Sequence, residues 1–447
     1  MNVSFLQELL QSIAERGRQL LEPRGPAPAP ANAMALLEAC RCLLSGHGEA
    51  SGVAMARQLL SAYRACAEEQ QRAFFAGLLT DFAPPHEALA EACRRYLQSP
   101  SAEQVTALFE ACEPPRQELF RRLNQAPGGT AELIGMRRLL LKQLKTAPAL
   151  AAVDHDLAHL LASWFNRGFL VLRRIDWSTP ASILEKIIRY EAVHEIRDWD
   201  ELRRRLQPAD RRCFAFFHPA LVEEPLIFVE VALTRSMPAA IDEILQEQRP
   251  ASQEPLAADT AVFYSISNCQ EGLRGISFGN FLIKQVVEEL AREVPGLKHF
   301  VTLSPVPGLR RWLDGLGEDA QLSQAASDCL KQLQRAGGNA PPASLKEPLL
   351  ALAAEYFLHA KHADGRPLDP VARFHLGNGA RLERLNWLGD TSASGLRQSA
   401  GLMVNYRYEL RHIEKNHEAY ANQGAVMTSA EVKRQRAAQG HRIGLSK

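Results

Sequence analysis

AVFYSISNCQEGLRGISFGNFLIKQVVEEL, residues 261–290, changes texture twice. It opens with a β-branched and aromatic run, which is the composition of a strand. It closes with Phe281, Leu282, Val286 and Leu290 at helical spacing, so one helix face can lie on a sheet. Between them stand Gly272, Gly275 and Gly279, which permit close backbone approach and unusual dihedrals. Loop N–H groups and a helix N-terminus in that order favour a bound phosphate. Arg274 can add charge. A plain strand–helix turn has the same pattern, so the loop alone does not name a ligand.

Outward from this segment, short strand-like runs alternate with helical ones. GFLVLRRI (168–175), CFAFF (213–217), PLIFVEVALT (225–234) and HFVTLS (299–304) are rich in Val, Ile and Phe. ASILEKIIRYEAVHEI (181–196) and SLKEPLLALAAEYFLHA (344–360) are helical in pattern, and Thr428 with Glu431 forms a capping-box signature. Strands interleaved with helices indicate a sheet with helices packed on it. The first third differs. SFLQELLQSIAERGRQLL (4–21) is amphipathic, EPRGPAPAPANA (22–33) is stiff and unpairable, and helical periodicity then runs from Met34 to about Trp164. No fixed-period repeat is present. The expected class is α+β, with a helical bundle over 1–165 suited to oligomerisation and a sheet-based catalytic domain over 166–447.

The chain carries 52 basic and 51 acidic residues, a balance that gives no electrostatic reason to expect nucleic acid or a membrane surface as partner. No apolar run approaches the roughly 20 residues that span a bilayer. Glu8, Glu15 and Glu22 argue against an acid-poor transit peptide. The chain ends Gly-Leu-Ser-Lys, without the final Leu of a peroxisomal address. Eight cysteines without a CxxC pair fit reduced thiols, and the expected location is cytoplasmic.

Some motifs point elsewhere on first inspection. Gly275-Ile276-Ser277-Phe278-Gly279 matches the nucleophile elbow of hydrolases, but that elbow needs a strand running straight into its first glycine. Here the strand-like run stops near Ser267, and Ser277 reads as a loop residue. His155 and His159 share a helix face, but the zinc motif has Glu where Asp156 stands, and no third ligand is near. His359 and His362 lie at a helix end, where cations are favoured anyway. No metal and no organic cofactor are expected.

Four blocks carry a family resemblance: FFHPALVEEPLIFVEVALT (216–234), FYSISNCQEGLRGISFG (263–279), HFVTLSPVPGLRRWLDGL (299–316) and ARFHLGNGARLERLNWLGDTSASGLRQSAGLMVNYRYEL (372–410). In this order they resemble malonyl-CoA decarboxylase, from about Trp164 to Tyr408. The resemblance implies a helical oligomerisation domain followed by a GNAT-like acyl-CoA-binding domain. It implies that Arg274, Gly275, Ile276, Ser277, Phe278, Gly279 and Asn280 hold the CoA pyrophosphate. It places the catalytic serine of the LSPVPG block at Ser304 and the catalytic histidine of the RFHLGNG block at His375.

Decarboxylation of malonyl-CoA leaves negative charge on the thioester oxygen and needs a proton for carbon. An imidazole titrating near neutrality is the natural proton carrier, so His375 is the expected donor and Ser304 its polar partner and relay. His218, Asn405 and Tyr406 are candidates for the site wall. Three rivals remain open: an acyltransferase using an amine acceptor, a thioester hydrolase acting through Ser277, and a silent acyl-CoA sensor.

Overall fold

The computed structural model describes residues 32–437 except 47, 166, 246–257, 277–281 and 317–321. The amphipathic stretch 4–21 and most of the Pro-rich segment after it lie outside the described residues.

Among the described residues of the first part, eight α-helices follow one another: Ala33–Leu44, Glu49–Ala65, Glu68–Thr80, His86–Gln98, Ala102–Cys112, Pro115–Asn124, Gly129–Gln143 and Ala151–Trp164. The prolines and glycines that punctuate the sequence become helix starts. Pro85 and Pro114 are N-caps, and Pro115 fills the first helical position, where a missing N–H costs nothing. Tyr63, Phe74 and Phe75 pack ring to ring in the core, with centroids 5.4–6.2 Å apart. Asp156 points inward and pairs with buried Arg116 at 2.6 Å, while His155 and His159 on the same helix are exposed. The compact unit built on these helices also includes residues 217–224 and 270–276.

The second unit is built on an eight-stranded sheet. Its strands are β1 (Val171–Ile175), β2 (Arg211–Phe217), β3 (Pro225–Thr234), β4 (Thr260–Asn268), β5 (His299–Thr302), β6 (Ser304–Pro305), β7 (Arg381–Asn386) and β8 (Met403–Tyr408). Their order is β1-β2-β3-β4-β5-β8-β6, with β7 also paired to β8. The observed class is α+β, as expected.

β4 and β5 are parallel, and the helix Leu282–Glu293 between them buries Leu282, Ile283, Val286, Val287 and Leu290. A parallel pair needs such a crossover, which is why the helix follows the loop. The register runs only from Thr260–His299 to Phe263–Thr302. Leu303 then donates its N–H to Phe263 O, and Ser304 pairs with Val404 of β8.

The sequence pattern anticipates β1 to β5 but not β7 and β8, and HFVTLS, read as one run, divides into β5 and the start of β6. β7 reads RLERLN, whose charged side chains hide the alternation of a strand. The capping signature is displaced by one residue. Ser429, not Thr428, receives the Val432 N–H at 3.3 Å and caps the last helix, Ala430–Ala437.

Candidate active site

Three strands, β5, β6 and β8, and one short helix bring Ser304, His375 and their hydrogen-bond partners together in the second unit. The helix Pro370–Gly377 starts at Asp369, whose Oδ1 accepts the Ala372 N–H at 2.8 Å, with Pro370 at the first helical position. It ends through Gly379, at φ +81°, where an added Cβ would lie 2.2 Å from Ile413 O. Only glycine fits there, and the turn fixes the end of the helix that carries His375.

His375 Nε2 lies 3.1 Å from Ser304 Oγ, and both residues are buried. Ser304 donates to Thr302 Oγ1 at 2.9 Å, and Thr302 Oγ1 also accepts the Tyr406 N–H at 3.0 Å. On the other side of the ring, His375 Nδ1 lies 2.8 Å from the Tyr408 hydroxyl. With Ser304 donating to Thr302, one tautomer completes the chain. Tyr408 donates to Nδ1, and Nε2–H donates to Ser304 Oγ. Tyr406 stacks on the imidazole, centroids 4.5 Å apart and planes at 27°, and its buried hydroxyl has no partner among the described residues.

Burial sets the protonation state. Desolvation pushes His375 down to about 3, so the ring is neutral in the free protein near pH 7. This corrects the expectation of an imidazole titrating near neutrality. Among the described residues no carboxylate is hydrogen-bonded to the ring to offset the desolvation. Burial likewise holds the Tyr408 phenol far above its ordinary value, so it is a neutral donor.

Thr302 and Tyr408 escaped the sequence reading, although both lie inside the quoted blocks. Strand periodicity carried the signal: Thr302 with Ser304, and Tyr406 with Tyr408, are two apart and share a face.

The other expected residues fall elsewhere. The Asn405 amide is engaged by protein atoms. It donates to Thr302 O at 2.6 Å and Pro238 O at 3.3 Å, and accepts from Asn386 at 2.8 Å and Arg384 at 3.2 Å. His218 belongs to the helical unit, where its ring packs 4.5 Å from that of Phe165. Arg274 and Gly275 are exposed, and Gly275 has φ +82°. Ile276 donates its N–H to Leu273 O at 3.0 Å. Ser277, Phe278, Gly279 and Asn280 lie outside the described residues.

A large polar cavity of about 1140 Å³ lies in the second unit, lined in part by His194, Arg205 and Asp390. It touches Pro305 and Pro307 but neither Ser304 nor His375. Among the described residues no group of three His, Cys, Asp or Glu side chains is placed to hold a metal ion. No described helix is long and apolar enough to cross a membrane.

The geometry meets a family assignment at this point. The model of the malonyl-CoA decarboxylase C-terminal domain matches residues 168–445, and that of the N-terminal domain matches 82–165. The chain belongs to the malonyl-CoA decarboxylase family. It is 36% identical over 408 residues to the mitochondrial malonyl-CoA decarboxylase of Anser anser anser, covering 83% of this chain and 81% of the relative. The mitochondrial enzyme of Rattus norvegicus is 35% identical over 411 residues, covering 83% of each. Among solved structures, the malonyl-CoA decarboxylase of Rhodopseudomonas palustris is 54% identical with a TM-score of 0.86, covering 91% of this chain and all of that one. That of Agrobacterium vitis is 54% identical with a TM-score of 0.84, covering 90% and 99%.

Proposed function

We propose that this chain is a carboxy-lyase that converts malonyl-CoA to acetyl-CoA and carbon dioxide, with Ser304 and His375 as its catalytic residues. The observation that carries the reading is the 3.1 Å contact between Ser304 Oγ and His375 Nε2, inside a chain of this family. The bond from the malonyl carboxylate to Cα breaks, its electron pair becomes a thioester enolate, and carbon dioxide leaves. Cα then takes one proton to give the acetyl group.

His375 supplies that proton. A malonyl carboxylate arriving beside the ring raises its proton affinity, because an opposite charge nearby favours the imidazolium, and the ring takes up one proton from water as substrate binds. Departure of neutral carbon dioxide moves that charge onto the enolate, which makes Cα the base beside the ring. The buried imidazolium is then a strong acid facing a basic carbon, and it returns to the neutral state that burial prefers. Ser304 binds the malonyl end and relays the proton, held by Thr302. Tyr408 fixes the tautomer from the far side of the ring. Tyr406 and its unpartnered hydroxyl form part of the wall. Asn405 ties β8 to β5 through Thr302 O. The segment Arg274–Asn280 is assigned to the CoA pyrophosphate, in a GNAT-like layout, with His218 as a further wall candidate.

We further assign self-association to the helical region 1–165 and catalysis to 166–447. The helical hairpin 86–112 leaves Leu97 and Phe109 about four-fifths exposed, apolar surface of the kind a second copy covers. Eight free cysteines support a reducing, cytoplasmic location.

Incubation of the purified chain with malonyl-CoA alone tests the activity. Acetyl-CoA and carbon dioxide should form in equal amounts with no acceptor present. Free CoA as the main product would favour hydrolysis, and a strict requirement for an amine acceptor would favour acyl transfer.

A further inference from the structure

We infer that Arg137, on the helix Gly129–Gln143, is a positioning residue that aims the acyl-CoA loop at its ligand; this rests on reading that loop as the CoA pyrophosphate site. Arg137 is buried, with 4% of its surface exposed. Its Nη1 donates to Gly272 O at 2.7 Å and to Arg274 O at 2.9 Å. Its Nε donates to Asp154 Oδ1 at 2.8 Å on the helix Ala151–Trp164. A buried guanidinium is stable only when its donors are satisfied, and this one is satisfied largely by loop carbonyls.

Two carbonyls held on one side constrain the peptides that own them. The 274–275 peptide is trans, so drawing Arg274 O toward Arg137 turns the Gly275 N–H the opposite way. That N–H has no hydrogen-bond acceptor among the described residues, whereas the neighbouring Leu273, Arg274 and Ile276 N–H groups are taken up within the turn. Gly275 itself is exposed at φ +82°, the left-handed conformation that leaves its amide accessible. The outcome is a single backbone donor, held from behind by an arginine and presented to an anion.

Gly272 is the second half of the device. A Cβ there would lie 2.0 Å from Ile134 O, so the loop presses directly on the arginine's helix. Gly272 and Gly275, which have the same role in the sequence pattern, therefore differ. Gly272 allows the loop to dock, and Gly275 allows its amide to face out.

The test uses the full chain with Arg137→Met, which keeps an unbranched apolar stem and removes the donors, Arg137→Lys, and Gly272→Ala, which leaves Arg137 and Asp154 intact. Thermal melting selects variants that fold. KM for malonyl-CoA and the Kd for CoA should both rise about tenfold to a hundredfold in Arg137→Met and Gly272→Ala. Arg137→Lys should fall between, and kcat should stay within about threefold of wild type. Amide exchange in the 268–276 peptide should quicken in the same order without any ligand. Unchanged KM, Kd and loop exchange in folded variants of a CoA-binding protein overturn the inference alone, as does a fall in kcat at constant KM. A wild-type chain that neither binds CoA nor decarboxylates malonyl-CoA overturns the acyl-CoA reading, and this role with it.

Discussion

The loop after β4 and the pair on β6 and its neighbouring helix are built from different materials. In the loop the working groups are backbone N–H and C=O, steered by glycines and by one buried arginine. At the pair they are side chains in series, Thr302, Ser304, His375 and Tyr408, locked in a water-poor core. A backbone site tolerates many side chains but few changes of conformation. A side-chain site depends on each atom that hydrogen-bonds. The loop should therefore govern binding and the pair should govern turnover, and substitutions can separate the two.

The largest effect belongs to His375→Asn, which removes the proton donor. Turnover should fall about a hundredfold to ten-thousandfold, the usual worth of general acid catalysis, while CoA binding changes little. Steady-state kinetics with a direct CoA titration measure both, and near-wild-type turnover would remove the assignment. Ser304→Ala should lower kcat about tenfold to a hundredfold, the cost of one hydrogen bond to a charged group. A loss confined to KM would move Ser304 from the reaction to uniform binding. Tyr408→Phe deletes only the bond that sets the tautomer and should cost about threefold to tenfold in kcat. Its pH–rate profile should move as well, which loss of packing alone would not cause.

The smallest effect is on stability. The folded pKa of His375, about 3, lies below the ordinary value of 6.5. Between those values the unfolded chain binds a proton that the folded chain refuses, so stability rises with pH across the window and is lost as pH falls. His194, pushed down to about 4 by its burial, acts in the same direction in both proteins. Wild type should therefore lose more melting temperature than His375→Asn between pH 6.5 and 4. The difference should be about 2–4 °C, and parallel curves would mean that the ring is charged in the free protein.

Much of this molecule is legible in the chain. The α+β class follows from where helical periodicity stops, near Trp164, and strand composition begins. The β4–loop–helix unit is legible because its glycines and apolar residues act over a few positions, where local sterics and periodicity dominate. β7 and β8 were not read as strands, because charged residues there are held by partners that only the sheet supplies. Arg407 of β8 pairs with Glu383 of β7 across the ladder, and Glu383 also holds Arg381 along β7. Asn405 looks like a site residue in sequence, yet its amide is spent on holding strands together. His155 and His159 mimic a metal motif, while Asp156 between them answers a buried arginine 40 residues away.

Residue types and order alone determined which groups this chain has to offer: a glycine-rich strand–loop–helix unit, a serine and a histidine. Tertiary structure decided whether those groups can act together. Ser304 and His375 are separated by 71 positions, and no local preference specifies a distance over that span. That distance, the neutrality of the imidazole and the aim of the Gly275 amide arise from packing, because burial and hydrogen-bond geometry are properties of neighbours in space.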